Sequence, residues 1–258
     1  MIKRFALAFM GAIFILSVYS INQSHATFFS DSFDNPTYTN ANWTVASPTW
    51  DFVTLSGSDI GYRGTISVGY PGAVSFANNS QYYYQNDLVV ETYVRLETPV
   101  DASDIDTAAG LVFISGSLAD LDYREYSVLL SIDDDSGAPV GGLSVYNYSS
   151  DGSVDEVRGA TWANIIFDTF YRLRMERDSQ GDIDVYLYDN STLLASLTGI
   201  DLLASFDSGM VGLGTDRSAT FNDFSIAANP VPEPTSIFLL GSGLIGLVGI
   251  GRKKFFKK

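Results

Sequence analysis

A period of two in the apolar residues limits how this chain of 258 residues can fold. From Leu88 to Leu96, every second residue is apolar or threonine, and from Glu91 onwards the residues between are charged or tyrosine. Residues 126–132 repeat the pattern, and Gly, Asp, Asn and Ser turns separate such runs. No long segment with a helical period competes with them. The pattern predicts an all-β chain, folded as an antiparallel sandwich of two sheets.

The best-defined local unit is a hairpin predicted over residues 170–189. A three-residue loop at 179–181, with Gly181 in the left-handed conformation, fixes its register. That register predicts buried apolar pairs, arginine–tyrosine pairs and acidic pairs: Leu173–Leu187, Met175–Val185, Arg172–Tyr188, Arg174–Tyr186, Glu176–Asp184 and Asp178–Asp182. Facing like charges are unfavourable, so either a cation bridges the acidic pairs or the true register differs by one residue.

The N-terminal end has the features of a secretory signal peptide. Lys3 and Arg4 precede an apolar run from Phe5 to Val18, and small residues lead up to a cleavage position after Ala26. We therefore predict that signal peptidase removes residues 1–26. A helix that stays in the membrane is the alternative.

The C-terminal end combines three features in order. Val-Pro-Glu-Pro-Thr-Ser occupies residues 231–236, an apolar run follows from Ile237 to Ile250, and the basic residues Arg252, Lys253 and Lys254 come next. A helix of about fourteen residues spans roughly 21 Å, which is shorter than the ~30 Å hydrocarbon core of a bilayer. It suits a temporary anchor in the inner membrane, with the basic residues on the cytoplasmic side.

This arrangement resembles the PEP-CTERM sorting signal of exported bacterial proteins, with Pro232, Glu233 and Pro234 as the motif. The resemblance implies recognition by an exosortase, removal of the tail, and delivery to the cell surface or extracellular matrix of a Gram-negative bacterium. A single-span anchor that is never processed is the alternative. We predict three parts: a signal peptide (1–26), one β-sandwich domain (27–229) and the sorting signal (230–258).

The composition of the middle segment excludes several kinds of catalysis. The only histidine, His25, leaves with the signal peptide, and the chain has no cysteine. All lysines lie in the two ends. Without these residues the segment has no Ser-His-Asp or Cys-His nucleophile, no ordinary zinc site and no Schiff-base lysine.

The charge of the same segment limits its partners. Residues 27–229 carry 29 acidic residues against eight arginines, a net charge of −21, and the arginines are dispersed along the sequence. This field repels polyanions, so nucleic acid is not an expected partner. Neutral glycans and divalent cations are compatible with it.

A second resemblance becomes visible at the predicted hairpin. Residues 170–176 and 182–188 resemble the penultimate hairpin of concanavalin A-like and laminin G-like jelly rolls, and residues 209–214 and 220–226 resemble the closing strands. Residues 29–34 resemble the first strand, which in such folds pairs with the last. The resemblance implies a two-sheet antiparallel jelly roll, a fold often used to bind or cleave polysaccharides. A fold does not fix a function.

One acidic segment invites comparison with catalytic sites. Asp120, Asp122 and Glu125 have a spacing that resembles the catalytic strand of laminarinase-type glycoside hydrolases, although the first acid is Asp where that pattern has Glu. On a regular strand Glu125 would point away from the other two. Retaining hydrolysis needs two carboxylates about 5 Å apart, so without a bulge this set cannot supply them.

Acidic turns and paired tyrosines are the candidate binding features. Calcium is the one cofactor that the patterns suggest, because it takes oxygen ligands from acidic loops; a solvated turn is the alternative. Tyrosines two apart on a strand share a face and can line up platforms for sugar rings. The tryptophans Trp43, Trp50 and Trp162 are expected in the core, and stacking on sugar rings is the alternative for them. The candidate residues are Asp104 with Asp106 or Asp133 with Asp135 for calcium, and Tyr82, Tyr84, Tyr146 and Tyr148 for glycan.

Together the patterns favour an exported surface or matrix protein, sorted by an exosortase, that binds extracellular polysaccharide or serves in the matrix without catalysis. A carboxylate-dependent glycoside hydrolase or lyase acting on exopolysaccharide is one alternative. A purely structural surface protein is the other.

Overall fold

The structure is a computed structural model, which describes residues 27–228 apart from 47–48, 66–72, 79–86, 100–105, 116–123, 134–139, 149–153 and 202–208. The described elements are β1 (Thr27–Asp31), α1 (Pro36–Asn42), β2 (Trp43–Val45), β3 (Trp50–Ser56), β4 (Asp59–Thr65), β5 (Ala73–Ala77), β6 (Leu88–Leu96), β7 (Thr107–Ser115), β8 (Arg124–Asp133), β9 (Val140–Tyr148), β10 (Val154–Ala163), β11 (Tyr171–Arg177), β12 (Ile183–Asp189), β13 (Thr192–Ile200), β14 (Met210–Thr215) and β15 (Ser218–Ala228). Residues Ala26–Asn229 form one compact unit.

The strands form two sheets with antiparallel pairing throughout. Sheet A has the order β13-β12-β11-β6-β15-β4-β3, with β1 also paired to β15. Sheet B has the order β10-β9-β8-β7-β14-β5-β2. The core lies between them, where alternate side chains such as Leu173 of sheet A and Val128 of sheet B are fully buried. This confirms the predicted two-sheet jelly-roll sandwich.

The last strand, β15, holds two partners along one of its sides. Its first half pairs with β4, and its second half pairs with β1 in a register that places Phe29 opposite Ile226. The predicted pairing of the first and last strands is therefore confirmed. Between the two halves the register with β6 shifts, and Asp223 adopts a positive φ of 49° at this bulge.

The predicted hairpin register is also confirmed. Strands β11 and β12 pair Met175 with Val185 and Leu173 with Leu187, and all four side chains are buried. The loop residue Gly181 has a φ of 99°. Because a side chain is disfavoured at such an angle, glycine suits this turn.

The acidic pair of Glu176 and Asp184 in the hairpin is accommodated without a change of register. Glu176 faces Asp184, but Arg174 Nε donates to Glu176 at 2.7 Å. Asp184 instead accepts from the Tyr186 hydroxyl and from the Gly199 amide. Each carboxylate therefore has a separate partner.

Helix α1 was not predicted, because a helix of seven residues, about two turns, leaves little periodic signal. Asn35 caps it by accepting from the Tyr38 amide at 3.2 Å, and Pro36 occupies the first turn. Asparagine followed by proline is a helix-start signal that could have located the element. The helix leads into Trp43, whose indole is buried.

Behind the helix lies a buried carboxylate. Asp31 accepts hydrogen bonds from the Phe33 amide, the Thr39 hydroxyl and Trp43 Nε1, at 2.8, 3.1 and 2.9 Å. The Trp43 ring also meets Phe224 edge-on at 5.0 Å between centroids. These contacts tie β1, α1 and β2 to the core.

Candidate functional site

Few of the side chains proposed for glycan binding are described. Tyr82 and Tyr84 lie outside the described residues. Tyr146 is half-buried on β9, and Tyr148 ends that strand with its side chain outside the description. The tyrosine platforms therefore stay predictions.

The proposed calcium ligands are equally incomplete. Asp104 and Asp135 lie outside the described residues, and of Asp133 only the backbone at the end of β8 is described. Asp106 is exposed immediately before β7. Within the described ranges no group of three acidic side chains is placed to hold a metal ion. The calcium sites stay predictions. The side chains of Asp120, Asp122 and Glu125 are not described, so the expectation that this set is not catalytic is untested.

The expectation that all three tryptophans are core residues is wrong for Trp162. Trp43 is buried, and Trp50 packs on the core and stacks on Tyr62 at 4.6 Å between centroids. The side chain of Trp162, in contrast, is 74% exposed. A period-two pattern places a residue on one of two faces but does not say which part of a face is covered, and Trp162 stays exposed on a face where Val112 and Ser144 are buried.

Trp162 lies on the outer face of sheet B, the face turned away from sheet A. Its neighbour Ala163 packs against the core, so Trp162 points the opposite way. The residue opposite it on β9 is Gly142. The pairing continues to Ser131 on β8 and then to Ala108 on β7. We call Gly142, Ser131 and Ala108 the small-residue row.

The small-residue row places only short side chains beside a large ring, with Gly142 buried and Ser131 and Ala108 half-buried. Three strand spacings of about 4.8 Å carry it roughly 14 Å from Trp162. A Cβ on Gly142 would find only ordinary contact distance, with Ser131 Oγ at 3.4 Å.

Asp216 closes the far end of the row. It follows β14, and its Oδ1 accepts from the Ala108 amide at 2.7 Å while its own amide donates to the Ala108 carbonyl at 3.0 Å. Burial raises the pKa of the Asp216 carboxyl to about 6, although the Ala108 amide acts in the opposite direction. The nearby Asp106 carboxylate raises it further. Sequence reasoning missed Asp216, since one aspartate in a turn carries no distinguishing signal.

The outer face of sheet A has a different character. Four arginines that are far apart in sequence meet there, each beside a carboxylate: Arg63 with Asp51, Arg95 with Glu97, and Arg172 and Arg174 with Glu91. Their dispersal along the chain therefore does not persist in the fold. Because each is paired with an acid, they do not form a bare basic patch of the kind that nucleic acid requires.

The C-terminal segment supplies the identification. The family model described as the PEP-CTERM protein-sorting motif matches residues 230–253, which include Pro232, Glu233, Pro234 and the apolar run. The chain carries a PEP-CTERM sorting motif. It is thus an exported protein whose motif implies processing by an exosortase.

The two ends of the chain lie outside the described residues, so the predicted signal peptide and membrane helix are not tested. Among the residues that the structure does describe, no helix has the length and apolar character needed to cross a membrane.

Solved structures similar to this chain share its sandwich. A glycoside hydrolase family 16 endo-glucanase from Bacteroides ovatus matches with a TM-score of 0.52 and 9% identity, covering 77% of this chain and 99% of its own. A mutant of the Emp46p carbohydrate recognition domain matches with a TM-score of 0.51 and 11% identity over 81% of this chain and 100% of its own. No curated protein matches in sequence.

A third similar structure shows how limited such matches are. Xylan beta-1,4-xylosidase from Bacillus halodurans C-125 matches with a TM-score of 0.50 and 14% identity over 80% of this chain, which spans only 40% of that enzyme. At these identities the similarity shows the jelly-roll fold alone. The fold occurs in hydrolases and in a carbohydrate recognition domain, so function must be argued from the site.

Proposed function

We propose that the PEP-CTERM protein is a non-catalytic component of the cell surface or extracellular matrix that binds exopolysaccharide on the outer face of sheet B. The observation that carries the proposal is the exposure of Trp162 beside the small-residue row. An exposed tryptophan ring gains by stacking on the apolar face of a sugar ring, so such a residue favours a ligand that offers one.

The charge of the domain supports a neutral glycan over an acidic one. A net charge of −21 over residues 27–229 repels uronic acids and other polyanions. The similar solved structures support the ligand class in a general way, since their names include a glucanase, a xylosidase and a carbohydrate recognition domain.

The test is co-sedimentation of the full-length chain, purified in mild detergent, with the host's exopolysaccharide. We expect retention of the wild type, loss of retention in Trp162→Ala, and no new reducing ends. Leu193→Ala is the matched control, because Leu193 is also exposed but lies on β13 of sheet A. Equal retention of the Trp162→Ala variant would contradict the proposal. Repeating the assay with calcium and then a chelator tests the predicted calcium sites.

A carboxylate-dependent hydrolase is the second candidate, and the environment of Asp216 favours it. A carboxyl with a pKa of about 6 keeps its proton up to about pH 6, where an ordinary aspartate is already ionised, so it can act as a general acid in mildly acidic solution; Asp106 lies close enough to interact with it. In that case the same assay releases reducing ends, and Asp216→Asn abolishes their release. If the protein is neither retained nor releases reducing ends, the result favours a purely structural surface protein.

A further inference from the structure

A cleft of about 510 Å³ opens on the outer face of sheet A, at the bulge of β15. Its volume is within the range of small-molecule sites. Its walls come from the end of β1, helix α1, β6 and β15, and include Ser30, Ser32, Tyr38, Tyr93, Asp223 and Ser225. It lies on the opposite face of the sandwich from Trp162.

The walls of the cleft offer unused hydrogen-bonding groups. Within the described part of the chain, the hydroxyls of Ser30, Ser32 and Ser225 form no hydrogen bond, and neither do those of Tyr38 and Tyr93. Tyr38 is 44% exposed, so its ring is also available. Aromatic rings mixed with hydroxyl groups match a sugar, which has apolar ring faces and a polar rim.

The cleft also carries negative charge that no arginine offsets. Its Glu91 carboxylate is neutralised by Arg174 at 3.3 Å, but Asp223 has no such partner among the described residues. Asp34 and Asp59 lie near Asp223, and burial together with these two carboxylates raises the pKa of its carboxyl. An acidic glycan would be repelled here, whereas a cationic one gains.

We propose that this cleft binds a sugar unit that carries a protonated amino group. The ammonium group lies beside Asp223, the sugar hydroxyls hydrogen bond to the serines, and the ring contacts the tyrosines. The proposal does not depend on Trp162. With both sites on one domain, the PEP-CTERM protein can link a neutral glycan on sheet B to an amino-bearing glycan on sheet A.

The probe is a β-1,4-linked glucosamine oligosaccharide, compared with its fully N-acetylated counterpart. Binding to the full-length chain in detergent is measured by calorimetry. We expect the free amine to bind and the acetylated form to bind far more weakly. Asp223→Asn should weaken amine binding by roughly tenfold or more, because it removes a charge-assisted hydrogen bond.

Two variants separate the site from a general effect of charge. Asp201→Asn is the matched control: Asp201 is exposed, and it follows β13, which is four strands and roughly 19 Å from β15. It should leave binding unchanged. Tyr93→Phe should weaken binding without unfolding the domain, because it removes only a hydroxyl.

Three outcomes overturn the proposal. The first is equal binding of the free and acetylated sugars, and the second is an equal loss in Asp223→Asn and Asp201→Asn, since either shows that the Asp223 carboxylate is not used specifically. The third is calcium binding at about 1 mM that Asp223→Asn abolishes, with no amine binding, which makes the cleft a cation site. Because Trp162→Ala should leave amine binding intact, failure here is distinguishable from failure of the sheet B proposal.

Discussion

The guanidinium carbon of Arg172 lies 4.3 Å from the centre of the Tyr188 ring, directly across strands β11 and β12. Arg172 is 28% exposed, so solvent weakens but does not abolish this cation–π contact. A double-mutant cycle with Arg172→Ala and Tyr188→Ala should give a coupling of about 0.5 to 1 kcal/mol in the free energy of unfolding.

The arginine–tyrosine pair two residues further along the same two strands provides the control. Arg174 faces Tyr186, but its guanidinium hydrogen bonds to Glu176 and Glu91. The same cycle at Arg174 and Tyr186 should give little coupling. A coupling at this pair as large as that at Arg172 and Tyr188 would show that cross-strand placement alone, and not ring contact, is being measured.

Asp31 should be the costliest acidic residue to remove. Its carboxylate accepts from a backbone amide, a hydroxyl and the Trp43 indole in a buried setting. Asp31→Ala leaves these donors without partners and should lower the free energy of unfolding by about 2 to 4 kcal/mol in urea titration. Asp34→Ala, which removes one exposed acceptor, should cost less than about 1 kcal/mol. Equal losses would contradict the structural role of Asp31.

Asp216 should make the protein less stable as the pH rises. Its pKa of about 6 is above the ordinary 3.8, so the folded state holds a proton that the unfolded state releases. The stabilisation that the protonated Asp216 carboxyl adds to the free energy of unfolding is therefore lost progressively between about pH 4 and pH 6, and it stays lost above pH 6. Asp216→Asn keeps an oxygen for the Ala108 amide and avoids the buried charge.

The Asp216→Asn variant should accordingly be more stable than the wild type near pH 7.5, by about 1 to 3 kcal/mol, and equal to it near pH 4. Urea titrations at the two pH values measure the difference. The exposed Asp201→Asn should show no such dependence. A stabilisation that is the same at both pH values would rule out titration of Asp216 as its cause.

Two glycines on sheet B should respond very differently to alanine. A Cβ on Gly110 would collide with the Val128 carbonyl oxygen of the paired strand, so Gly110→Ala should force the two strands apart and cost about 2 kcal/mol or more. Gly142 has room for a methyl group and an ordinary φ. Gly142→Ala should change the melting temperature little, and a large drop there would show that the row is closely covered.

The sequence predicted best where local chemistry decides the structure. The register of β11 and β12 follows from the alternation of apolar residues and from one loop glycine, both of which lie within twenty residues of the pairs they fix. The pairing of β1 with β15 is not local, and it was predicted only through resemblance to a known fold. Export followed from the ordered C-terminal motif.

The candidate sites depend on contacts that sequence separation hides. Trp162 lies on β10, the row beside it joins residues from β9, β8 and β7, and Asp216 reaches the row from the end of β14. Four arginines meet on one face because sheet order brings β11, β6 and β4 together, which spacing along the chain does not reveal. No single segment shows a pattern for either arrangement.

The pairing of Thr27 with Ala227 has a mechanical consequence for the domain. Both chain ends of the domain leave from the same end of one antiparallel ladder. Tension between the two chain ends loads the hydrogen bonds between β1 and β15 one after another, in an unzipping geometry. It does not load them all together, as a shear geometry would. The seam that joins the first and last strands is therefore the place where a pulling force begins to open this domain.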